Sequence, residues 1–197
     1  MPFDFSQIVK NIASSRSVKT RVARAVLERF EIAKNLLLSE FDNHPVTREI
    51  KAGPLSENIS NTLGGRGNLF TFLGFESGSD PIFDLRDTIV RELVIKEQLE
   101  SQGSVRANSI YYRSVVYFPF SEIRQATPMP WEAGLSWALG IEEGISNFSH
   151  YVFTRKLIGH PNRSGHGIQN PAASFGGEFA TTPYLSKMFQ DLQHRLI

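Results

Sequence analysis

His160 and His166 are the only near pair of histidines, and they sit in the run GHPNRSGHGIQNPAASFGG, residues 159–177. Zinc chemistry needs three closely arranged protein ligands, usually announced by a spacing such as HExxH. His44, His150, His160, His166 and His194 form no such pattern, and no residue stands out as a third ligand. A metal hydrolase would have to borrow a distant carboxylate, so neither a metal nor a cofactor is expected. A loop longer than about 12–15 residues is usually functional or disordered. The run therefore reads as an arm that becomes ordered against another protein, with Arg163, His166, Ile168, Gln169 and Asn170 as its contact residues.

Other groupings are weaker. GGRGN, residues 64–68, could cradle an anion on consecutive amides, but it lacks the GxxxxGK[ST] and GxGxxG patterns and reads as a turn. Glu142 and Glu143 are neighbours on an expected helix, about 100° apart, so they read as solvated or ion-paired rather than as a catalytic pair. No GxSxG elbow is present. Trp131 and Trp137 read as core aromatics before a stacking platform. No enzyme is expected.

One local charge feature remains. Residues 1–24 carry Lys10, Arg16, Lys19, Arg21 and Arg24 against Asp4 alone, a balance of +4 within a chain whose net charge is +1. With no global field to attract an anion, any DNA contact would be local, through Arg16, Lys19, Arg21 and Arg24.

The elements that must position these residues follow from hydrophobic spacing. Val18, Val22, Val26, Phe30, Ala33, Leu37 and Phe41 recur every three or four residues, which predicts a helix ended by His44 and Pro45. Residues 46–75, including LFTFLGF, read as strands and turns broken by glycine. The SDP at 79–81 predicts an N-cap with proline at the first helical position, opening a helix that reaches toward Gly103. NSIYYRSVVYFPF reads as a strand or a bent pair of strands. TPMPW is a stiff loop, SWALGIEEGISNF a short helix, and HYVFTRKLI a strand. TTPYLSKMFQDLQHRLI closes as a helix with Thr182 as N-cap.

The order predicts an α+β fold: a single domain over residues 1–197, with a small, mostly antiparallel sheet packed by amphipathic helices. Extended loops or arms are expected at 1–16 and 159–177. A content of 41% hydrophobic residues suffices for a core, and the lack of cysteine excludes disulfides. No apolar run approaches a membrane span and no secretion signal is visible, so a soluble, unexported protein is expected.

The plan resembles the neck and tail-completion proteins of tailed bacteriophages, the minor head-tail junction proteins. In that family a "P.T" turn follows the first helix and a "P(F/Y)L...(F/A)...L" segment opens the last. Pro45 to Thr47 match the first, and Pro183, Tyr184, Leu185, Phe189 and Leu192 match the second. The turn here reads PVTREI where the family has "P.DTG.L", and residues 51–80 have no counterpart. The resemblance implies a non-enzymatic virion protein, assembled in the host cytoplasm. Its partners would be copies of itself in a six-fold or twelve-fold ring, neighbouring head-connector and tail proteins, and DNA in the ring channel. A nucleic-acid-binding module is the alternative.

Overall fold

The computed structural model describes residues 11–12, 15–65, 67–96, 104–106, 109–111, 114–130, 134–143, 150–153, 160–161, 168–171 and 179–196. The fold is α+β, and one long helix organises it. Helix α1 (Arg16–Asn43) starts at Ser15, whose hydroxyl accepts from the Val18 amide. Pro45 disfavours helical backbone in the residue before it, and His44 is accordingly extended, at φ −63° and ψ 138°. The same His44 starts α2 (Pro45–Lys51), its ring accepting from the Val46 amide at 3.3 Å.

The predicted stripe of α1 is only half used. Phe30, Ala33, Leu37 and Phe41 are buried, whereas Val18, Val22 and Val26 are half-buried. Two helices cover the buried half. Helix α4 (Pro81–Glu92) is capped by Asp80, whose carboxylate accepts from the Phe83 amide at 3.1 Å. Arg86 of α4 makes a bidentate pair with Asp42, and Lys34 donates to the carbonyls of Val90 and Leu93 at 2.7 and 2.9 Å. Helix α4 therefore runs antiparallel to α1. So does α7 (Leu185–Leu196), whose start meets Phe41 through Tyr184 and whose Arg195 reaches Glu40 and Arg29.

Several expectations are corrected. Residues 46–75 hold helices and turns among the described residues: α2, a 3-10 turn at Gly53–Leu55, and α3 (Leu69–Phe72). LFTFLGF bends into a helical turn because Asn68 caps it, its side-chain oxygen accepting from the Thr71 amide at 2.9 Å. Every residue from 68 to 75 is buried, so the run shows no solvent face from which a period could be read. Helix α4 stops at Glu92, because β1 (Val94–Lys96) leaves it to pair antiparallel with β4 (Val115–Tyr117); Leu99 and Gly103 lie outside the described residues. Strands β2 (Ser104–Arg106) and β3 (Ser109–Tyr111) form a second antiparallel pair. Helix α5 (Phe120–Ala126) follows, and Trp137 opens α6 (Trp137–Glu143).

The last strands are β5 (His150–Phe153), β6 (His160–Pro161) and β7 (Ile168–Pro171). They form an antiparallel sheet in the order β5-β7-β6. The antiparallel pairing foreseen is observed, distributed among the described strands over three small sheets. No helix among the described residues is long and apolar enough to cross a membrane.

Candidate assembly interface

Of the four basic residues foreseen as contacts, Arg16, Arg21 and Arg24 are exposed and Lys19 is half-buried. All lie in the first third of α1, and none makes an ion pair with a described residue. The first turn of α1 has no acidic residue. Arg16 and Lys19, in the first turn, oppose the macrodipole, which therefore does not account for their placement, and Arg21 and Arg24 lie beyond its reach. Among the described residues, the contacts of α7 reach back to Arg29 and those of α4 to Lys34, and residues 16–28 extend the helix about 20 Å further. An open groove runs along this projection and slightly past it, lined by Ala23, Leu27 and Ile32 together with Arg24, Glu28 and Glu31. Leu27 is 37% exposed and Ile32 64%.

The arm residues are placed in part. Ile168 stands opposite Phe153 and Pro161, Gln169 opposite Val152 and His160, and Asn170 opposite Tyr151. These three occupy the central strand of a sheet instead of an irregular loop. Arg163, His166, Arg66 and Trp131 lie outside the described residues. Among the described residues no three His, Cys, Asp or Glu side chains stand close enough to hold a metal ion.

The glycine turn is committed to its own architecture. Asn58 Oδ1 accepts from the amides of Leu63 and Gly65 at 3.0 and 3.2 Å, which removes those donors from any anion nest. Gly64 and Gly65 both have positive φ, 57° and 77°, a pairing that residues with a Cβ rarely adopt. Beneath the turn lies the fully buried Glu49. Its carboxylate accepts from Asn58 Nδ2 at 2.9 Å, the Ser60 amide at 2.7 Å and the Leu69 amide at 2.7 Å. A buried acceptor with this many donors ties α2 to the whole loop. Glu142, read as solvated or ion-paired, accepts from the amides of Tyr184 and Ser186 at 2.9 and 2.7 Å. It supplies the acceptor for the start of α7 that Thr182 was expected to give, while the Thr182 amide donates to Ile141.

Where α1, α2 and α7 meet, the Thr47 and Tyr184 hydroxyls are 2.6 Å apart and both residues are fully buried. Burial pushes the Tyr184 phenol well above its ordinary range. The His44 ring lies 4.9 Å from the Tyr184 ring. Burial, aided by nearby Lys187, holds His44 below its ordinary pKa, against a raising hydrogen bond to the Pro183 backbone. Trp137 is core, 1% exposed and edge-on to Phe75 at 5.6 Å. Set against family models, curated proteins and solved structures, the chain has no match in any of the three.

Proposed function

We propose that this chain is a structural subunit of the tailed-phage neck or tail terminus, forming a ring of six or twelve copies that joins head to tail. The observation that carries the reading is the contact between Thr47 and Tyr184. These residues belong to the two short segments on which the resemblance rests, 137 positions apart in sequence. The expected turn is the short helix α2, which packs on the start of α7 as one structural unit, and a pair of unrelated chance matches has no reason to meet. The projecting half of α1 adds an extended element of the kind that lets ring subunits enlarge their mutual contact without enlarging the core.

A second reading, a nucleic-acid-binding module, draws on Arg16, Lys19, Arg21 and Arg24. DNA in a ring channel would make it a property of the same assembly. Native mass spectrometry of untagged protein across concentration, with negative-stain images of the same sample, tests the proposal. Closed rings of six or twelve copies are expected. A monomer at every concentration, with DNA affinity that falls steeply with salt, would replace the ring by the binding module.

A further inference from the structure

We infer that the projecting half of α1 docks head-to-tail onto the exposed face of α4 in a second copy of the chain, with Phe83 as the anchor. That face presents Phe83, 64% exposed, and Val90, 37% exposed. On the same face stand Asp80, Asp84 and Asp87, opposed by Arg91, which pairs with Asp87. The projecting half of α1 is its complement, with a groove at Ala23, Leu27 and Ile32 whose N-terminal side carries Arg16, Lys19, Arg21 and Arg24.

The signs match along the length as well. Placed parallel, the acidic start of α4 lies over the basic start of α1, and Arg91 falls beside Glu28 and Glu31. With Asp84 over Arg21 and Arg91 over Glu28, positions about 10 Å apart along each helix, the charge patterns stay in step, Phe83 falls at the Thr20 and Ala23 end of the groove, and Val90 lies over Leu27. An aromatic side chain seated in an apolar groove and ringed by charge is the usual form of an interface anchor.

One copy cannot make this contact with itself. Arg86 is fixed to Asp42, so Phe83 sits more than about 20 Å along the helix axis from Leu27 of its own chain. Helix α4 is also antiparallel to its own α1, which opposes the required charge order. The contact joins two different faces, so each copy keeps one of each free, and association propagates into a ring or a filament. The inference rests on the ring reading only for closure.

The test uses two full-length variants, Phe83→Asp and Arg21→Glu/Arg24→Glu, followed by sedimentation velocity across concentration. Each change lies on an exposed side chain, and circular dichroism checks the fold. Each variant alone is expected to need about thirtyfold or more higher concentration to associate than the unaltered protein. Mixed together they should form a one-to-one pair and nothing larger, since the Phe83→Asp copy keeps its arm and the other keeps its α4 face. A misfolded variant could not give that pair.

A mixture that stays monomeric overturns the inference. So does a charge-reversed variant that loses DNA affinity while its self-association is untouched, which assigns the arm to nucleic acid. Closed rings that survive both variants remove this contact and leave the ring standing. A one-to-one pair from the mixture, with open filaments from the unaltered protein, keeps the contact and removes the ring.

Discussion

Residues 30–43 of α1 bury Phe30, Ala33, Leu37 and Phe41 between α4 and α7, whereas residues 16–29 of the same unbroken helix bury no side chain fully. The buried half is helical because tertiary packing selects it. The projecting half extends a nucleus that already exists: once the packed turns are formed, each further residue adds one hydrogen bond without repeating the nucleation cost. Ser15 then closes the exposed end. Charge differs too, since the projecting half opens with Arg16 and Lys19 in a first turn where the macrodipole disfavours cations. A helix can thus divide its work, with one half specified by what it packs against and the other free to carry an interface.

The largest effect expected from this division is at Phe41. Replacing Phe41 with alanine should cost about 3–5 kcal/mol in denaturant unfolding, because a fully buried ring against Tyr184 leaves a cavity. Next comes Tyr184→Phe, which leaves the buried Thr47 hydroxyl without its 2.6 Å partner and should cost about 1–2 kcal/mol. A loss indistinguishable from zero would show that Thr47 finds another acceptor.

Acidification probes the same junction. His44 has a folded-state pKa below its ordinary 6.5, so the unfolded chain takes up its proton first as pH falls. The stability associated with neutral His44 is complete above the ordinary value and is lost as pH drops through it toward the lower folded-state value. His44→Asn, which keeps a capping side chain, should show a shallower fall in melting temperature between neutral and mildly acidic pH. Parallel slopes in the two proteins would assign the acid response to carboxylates alone. The smallest effect belongs to the other half: Arg21→Glu/Arg24→Glu should change stability by less than about 0.5 kcal/mol. A large loss there would erase the contrast between the halves.

What the residues disclosed before the fold was known follows the same physical line. Helices α1, α4 and α7 were legible because their apolar residues repeat over three or more turns and because Asp80 and Pro81 announce a start. LFTFLGF was not, since a four-residue helix buried on all sides has no polar face to set a period. Glu49 reads as an ordinary exposed position in TREIK, and its donors, at positions 58, 60 and 69, reveal nothing of it locally. Glu142 reaches a helix start more than forty residues away. Such long-range polar contacts have no sequence period. The basic third of α1, by contrast, is visible as unopposed charge, and Ile168 to Asn170 were identifiable as a segment though not as a central strand.

The antiparallel seating of α4 and α7 on α1 also has a mechanical consequence. A load applied to the projecting half travels along an unbroken hydrogen-bonded rod and meets both neighbours in shear. The Asp42–Arg86 and Glu40–Arg195 pairs, the Lys34 contacts and the aromatic layer at Phe41 must then yield together. A sideways load would peel them one at a time. The fold is therefore stiff along one axis and compliant across it, so tension applied along α1 is shared among these contacts.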